Sequence, residues 1–125
     1  MKKKVVVVED DPSIRDTLEI ILTRAGFLVR HYSSAAEIFY REVDPPDIFL
    51  IDRQLSGVDG LEVCKHLRSL PSTASVPIII LSATPGILQI AKDAGADDFI
   101  EKPFAKAFLI QKIEEHTHKA AGKNL

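Results

Sequence analysis

Residues 5–15 read VVVVEDDPSIR: four consecutive valines, three acids, then a proline at the head of an amphipathic stretch. So short and unbroken an apolar run fits a β-strand covered on both faces, since a half-exposed strand alternates apolar with polar residues. Residues 48–51 (IFLI) and 78–81 (IIIL) repeat the pattern. Residues 27–32 and 97–100 are weaker strand candidates, suited to sheet edges. Between these runs the apolar period lengthens to that of a helix. Ile14, Leu18, Ile21, Leu22 and Ala25 fall on one stripe, with Asp11 placed to cap it, Pro12 in its first turn and Gly26 at its end. Ser34 with Glu37, and Asp59 with Glu62, have capping-box spacing. The first pair predicts a short helix to about Arg41. The second predicts a helix carrying Leu61, Cys64, Leu67 and Leu70. Pro71 and Pro77 bracket a polar loop at 71–75. A short helix near 87–94 should stop at Gly95, and a last one from about Ala105 places Phe108, Leu109, Lys112, Ile113 and His116 at helical spacing. Strand and helix thus alternate five times, which predicts an α/β domain of parallel strands with right-handed crossovers. The domain is expected over 1–118, with 119–125 as a flexible C-terminal tail.

Composition narrows the classes. The chain has 125 residues, of which 46% are hydrophobic and 27% charged, the profile of an ordinary globular domain. Sixteen Lys and Arg against eighteen Asp and Glu leave a net charge of −2, which argues against a general nucleic-acid binder. A single cysteine, Cys64, excludes an internal disulfide framework and a cysteine-based zinc site. The start MKKKVVVV imitates a secretory signal, but the apolar run stops at Glu9, short of what a signal needs. No run approaches the ~18 apolar residues of a membrane span. The expectation is a cytoplasmic domain.

The candidate chemistry sits where strands end. Glu9, Asp10 and Asp11 follow the first strand, Asp52 the third, Ser82 the fourth and Lys102 the fifth. Ligands of an open parallel sheet bind just beyond those carboxyl ends. If Glu9, Asp10 and Asp52 converge, two carboxylates about 4 Å apart repel by roughly 4 kcal/mol at an effective dielectric of 20. Either one takes a proton or a cation sits among them. An all-oxygen set favours a hard ion, and Mg²⁺ suits one or two carboxylates completed by water and a phosphate. A Lys and a Ser facing that ion suit a phosphoryl group.

Four motifs, VVVVEDDPSIR (5–15), PDIFLIDRQLSGVDGLE (46–62), PIIILSA (77–83) and GADDFIEKPF (95–104), together cover most of the chain. In this order they resemble the receiver domain of two-component response regulators, the CheY-like family. The resemblance implies a flavodoxin-like (βα)5 fold, a doubly wound five-stranded parallel sheet of order 2-1-3-4-5. It implies that Asp52 is the phosphoacceptor, taking a phosphoryl group from a sensor histidine kinase or a histidine phosphotransfer protein. Mg²⁺ would be held by Glu9, Asp10, Asp52 and the backbone carbonyl of Gln54. Ser82 and Lys102 would engage the phosphoryl oxygens, Ser82 and Phe99 would act as the switch pair, and Pro103 would follow a cis peptide bond. The protein would be a signalling switch that catalyses only its own phosphorylation and dephosphorylation. It would pass the signal to a downstream protein on the face between the fourth and fifth helices, without contact to nucleic acid or membrane.

Some positions depart from the family pattern. Ser56 stands where the family usually has Pro and is expected to loosen the turn after Asp52. Phe99 lacks the hydroxyl of the Tyr often found there. By the resemblance, Arg53 and Gln54 occupy positions that tune phosphoryl lifetime in the family, and Pro85-Gly86 should delay the fourth helix. Cys64 reads as a core residue. His31, His66, His116 and His118 read as surface residues, and Lys2, Lys3 and Lys4 as solvated. Two other classes compete. A pseudo-receiver, an interaction module not regulated by phosphorylation, would lack an acid, the acceptor or the lysine, and none is missing. A small nucleotide-binding or hydrolytic enzyme lacks support, because neither G-x-x-x-x-G-K-[ST] nor G-x-G-x-x-G is present. The length is filled by one receiver, which either acts alone by docking or belongs to a longer chain such as a hybrid kinase or transcription factor.

Overall fold

The unbroken apolar runs become the middle strands of a sheet with helices on both faces. The computed structural model describes residues 2–122, with side chains through His118. In chain order the elements are β1 (Lys4–Val8), α1 (Pro12–Arg24), β2 (Leu28–Tyr32), α2 (Ala35–Phe39), β3 (Ile48–Asp52), β4 (Gln54–Leu55), β5 (Val58–Asp59), α3 (Gly60–Ser69), β6 (Ile78–Ser82), α4 (Leu88–Asp93), β7 (Asp98–Glu101) and α5 (Lys106–Gly122). β4 and β5 form a small antiparallel hairpin directly after β3. The other five strands pair in parallel in the order β2-β1-β3-β6-β7. With the hairpin set aside this is 2-1-3-4-5, the expected doubly wound sheet. α5 runs on through 119–122, and 123–125, the rest of the expected tail, lie outside the described residues.

Alternation along each strand explains why the middle strands show none in sequence. Val6, Val8, Phe49, Ile51, Ile78 and Ile80 face α2, α3 and α4, where Ile38, Leu61, Cys64, Leu67 and Ala91 complete one core layer. Val5, Val7, Ile48, Leu50, Ile79 and Leu81 face Leu18, Leu22, Leu109 and Ile113 of α1 and α5 in a second layer. Each such side chain contributes roughly 1.5–3 kcal/mol when fully buried, so both faces must be apolar. The edge strands have one flank open. Leu28, Arg30 and His31 of β2 are exposed, which is why that run reads weakly.

Helix ends follow the capping chemistry, but neither expected box closes: Asp59 caps α3 through the Leu61 N–H (2.9 Å) while Glu62 pairs with Lys65 (3.2 Å). Asp11 caps α1 by accepting from the backbone N–H of Ser13 (2.9 Å) and Ile14 (3.3 Å). Ser34 caps α2 through the Glu37 N–H (3.4 Å), but Glu37 reaches one residue past the expected partner, to the N–H (2.9 Å) and hydroxyl (2.7 Å) of Ser33. α2 stops at Phe39, sooner than the predicted Arg41. At the end of the sheet away from the acids, Arg68 of α3 collects the carbonyls of Gly95 (2.7 Å), Val76 (2.7 Å) and Thr73 (3.3 Å) and the Asp97 carboxylate (2.8 Å). That carboxylate also accepts the Ile78 N–H at 2.9 Å. One guanidinium thereby ties the segments entering β6 and β7 to the end of α3. Among the described residues no helix is long and apolar enough to cross a membrane.

Candidate functional site

Register brings the polar residues to one edge. Val8 pairs with Ile51, Asp52 with Leu81, and Ser82 with Glu101, so Glu9, Asp52, Ser82 and Lys102 all emerge at strand ends that lie side by side. Asp52 is the last residue of β3 and is buried. Its Oδ1 accepts the Gln54 N–H at 2.8 Å, and the Lys102 ammonium donates to its Oδ2 in a short ion pair. Lys102 is itself fixed by a backbone bond to the Ser82 carbonyl (2.8 Å). The peptide bond from Lys102 to Pro103 is cis.

Glu9 lies beside this pair, only 2% exposed. Its Oε2 accepts the Asp10 N–H at 3.1 Å, while Oε1 is buried with no hydrogen-bond partner and sits 4.0 Å from the Lys102 Nζ. Burial and the adjoining Asp52 carboxylate push the Glu9 carboxyl up to about 8, against the pull of Lys102. Arg15 of α1, a contact the sequence reading misses, donates to the Glu9 carbonyl at 3.0 Å and holds the end of β1 in place.

Asp10 is held differently. Its Oδ2 accepts both the Ser56 hydroxyl (2.5 Å) and the Ser56 N–H (2.8 Å) from the hairpin tip. These bonds hold its carboxyl below the ordinary range, the hydroxyl contributing most, against the opposing effect of burial. The turn that Ser56 is expected to loosen is therefore tied to the first acid loop, a correction that rests on a contact across 46 residues. The hairpin is also pressed onto the acceptor's backbone. The Gly60 N–H donates to the Arg53 carbonyl at 2.7 Å, and a β-carbon on Gly60 would lie 2.2 Å from the Asp52 carbonyl oxygen. Only glycine fits where α3 begins.

Ser82 is buried and its hydroxyl accepts the Thr84 N–H at 3.1 Å. Phe99 is half-buried against the layer containing α3 and α4. The structure thus gathers Glu9, Asp52 and Lys102 closely, ties Asp10 to Ser56, and places Ser82 one strand over. Gln54 contributes its N–H to Asp52 while its side chain is exposed. Among the described residues no three His, Cys, Asp or Glu side chains are gathered as a metal-holding group. The donor set nonetheless fits a hard cation: Glu9, Asp10 and Asp52 offer only oxygen, and the Glu9 Oε1 is buried without a partner. Lys102, Pro103 and Phe104 border an apolar cleft of about 570 Å³ against Ser13, Ile14 and Thr17 of α1.

Two histidines read as surface residues are half-buried and packed against partners. His116 Nε2 lies 2.8 Å from Asp98 Oδ2, with the Lys112 Nζ at 3.3 Å from the same oxygen. His66 packs edge-on against Phe39 at 5.1 Å between ring centres. The spacing of Lys112 and His116, four apart on one helix face, is the signal that could have found the first. Cys64 is buried in the core, and burial pushes its thiol up to about 11, which keeps it inert.

Comparison with known proteins agrees with this architecture. The family described as response regulator receiver domain matches residues 5–114. The chain is 39% identical over 114 residues to the transcriptional regulatory protein CseB of Streptomyces coelicolor; that is 87% of this chain but 47% of CseB, so the chain spans about half of that relative. Among solved structures, a candidate response regulator from Chloroflexus aurantiacus is 31% identical with a TM-score of 0.85, covering 94% of this chain and 99% of the other. The receiver domain of the sensor histidine kinase PA1611 from Pseudomonas aeruginosa, whose structure has a magnesium ion coordinated in the active-site cleft, is 25% identical with a TM-score of 0.82, covering 94% and 99%. The fold, a parallel sheet of this order flanked by helices, is what these relatives share with it, and the chain belongs to the response regulator receiver domain family.

Proposed function

We propose that Asp52 accepts a phosphoryl group from the phosphohistidine of a sensor histidine kinase or histidine phosphotransfer protein. The observation that carries this reading is the buried Asp52 carboxylate held between the Lys102 ammonium and the Gln54 N–H, beside the unpartnered Glu9 oxygen. An Asp52 oxygen attacks phosphorus, the O–P bond forms as the N–P bond breaks, and the imidazole leaves with the electron pair and takes a proton. Lys102 then moves its charge from the carboxylate to the phosphoryl oxygens, and Ser82 exchanges its bond to Thr84 for one to the same group. Mg²⁺ would be held by Glu9, Asp10, Asp52 and the Gln54 carbonyl, where it supplies positive charge to offset that of the phosphoryl oxygens. The donor enters over the cleft beside Lys102. Ser82 and Phe99 report the new charge to a downstream protein docked on the face of α4, β7 and α5. The domain works in the cytoplasm without binding nucleic acid or membrane.

The test is to mix the protein with a small phosphodonor and Mg²⁺ and weigh it intact. One added phosphoryl group is expected, absent in Asp52→Ala; equal gain in the variant overturns the assignment. One observation favours a second reading, a pseudo-receiver that only docks: the three acids are not gathered as a group. Such a module would show no Mg²⁺ affinity that depends on Asp10.

A further inference from the structure

Ser56 is the one hairpin residue that reaches across to the first acid loop, and it does so with two donors on a single oxygen of Asp10. A proline at this position would offer neither an N–H nor a hydroxyl. The remaining acids are held elsewhere: Asp52 by Lys102 and Gln54, Glu9 by the Asp10 N–H. Asp10 is held on the hairpin, and among the described residues no three acids are gathered as a metal-holding group. Mg²⁺ demands near-ideal octahedral geometry and gives up its water reluctantly, so it gains little from a carboxylate whose charge is already engaged by two donors.

We propose that Ser56 is a positioning residue that competes with the cation for Asp10, setting the Mg²⁺ affinity of the site through its two hydrogen bonds to Oδ2. This rests on the reading of Asp10 as a cation ligand. Cation binding and release of the hairpin tip are then one event: drawing Asp10 towards Asp52 frees the Ser56 hydroxyl and N–H. Ser56 is exposed and makes these contacts at a loop tip, so its replacement leaves the core untouched.

The experiment is a calorimetric Mg²⁺ titration of the full chain, the wild type against Ser56→Ala, Ser56→Pro, Ser56→Thr and Asp10→Asn. Ser56→Ala is expected to bind Mg²⁺ about three- to tenfold more tightly, the range of one net hydrogen bond. Ser56→Pro, which removes both donors, gains at least as much, and Ser56→Thr, which keeps both, stays within about twofold of wild type. In wild-type protein the Ser56 amide proton resonance should lie downfield in EDTA and move upfield as Mg²⁺ saturates, a signature a merely structural contact would not give. Unchanged or weaker binding in Ser56→Ala, or an amide resonance that ignores Mg²⁺, overturns the competition while leaving Asp10 as a ligand. Binding that is the same in Asp10→Asn removes the ligand reading and the competition with it.

Discussion

Asp52 and Asp98 are both buried or half-buried carboxylates with a lysine against them, one at the end of β3 and one at the start of β7. Their surroundings differ in balance. Asp98 receives His116 (2.8 Å), the Phe99 N–H (2.8 Å) and Lys112 (3.3 Å). Burial alone would raise its pKa, and those three partners outweigh burial and lower it. Around Asp52 one lysine faces two buried acids, and the Glu9 Oε1 is left without a bond. The same ingredients make a tie where donors match acceptors and a receptive site where they do not. A shortage of donors, rather than the presence of a charge, marks the functional end.

The largest expected effect separates the two aspartates outright. Asp52→Ala should lose all phosphoryl uptake by intact mass, whereas Asp98→Asn should retain it; loss in both would make the two regions one. Next comes the backbone on which the acceptor sits. Gly60→Ala sets a β-carbon 2.2 Å from the Asp52 carbonyl, so it should cost about 3 kcal/mol of stability in urea melts.

Asp98→Asn should cost about 1–2 kcal/mol, the worth of hydrogen bonds to a charged group half withdrawn from water. Its pH dependence has a definite sign. The folded pKa of Asp98 lies below its unfolded value of about 3.9, so the stability it contributes is complete above that value and is lost as pH falls through the lower folded one. Acid melts of the wild type should show this loss and those of Asp98→Asn should lack it. Smallest is Glu9→Gln in EDTA. At pH 9, where the Glu9 carboxyl, pushed up to about 8, is ionised, it removes an unbalanced buried charge and should raise the melting temperature by a few degrees, about 1 kcal/mol. A fall would mean that Lys102 already balances both acids.

The legible part of the fold was the part set by local period. Strands covered on both faces announce themselves as runs such as 48–51, and Asp52, Ser82 and Lys102 stand out because each interrupts or follows one. The contacts that escaped the sequence join residues far apart along the chain: Ser56 with Asp10, His116 with Asp98, Arg68 with Gly95. Tertiary packing decides these partners, and although the Lys112–His116 spacing marks one helix face, no spacing rule names Asp98 as what that face meets. Gly60 escaped for a related reason. Its requirement comes from the Asp52 carbonyl opposite it, not from a turn of its own.

Arg68 gives the sheet a mechanical polarity. Its planar fork satisfies the segments entering β6 and β7 with bonds that involve none of the acidic residues at the other edge. The two ends of those strands are thus held differently: a root clamped by one guanidinium, and a tip whose Lys102 is bound to Asp52. A change of charge at the tip meets a cantilever rather than a free plate. On the proposed function, a displacement caused by phosphorylation would be spent in the loops after β3, β6 and β7, the root being held by the guanidinium.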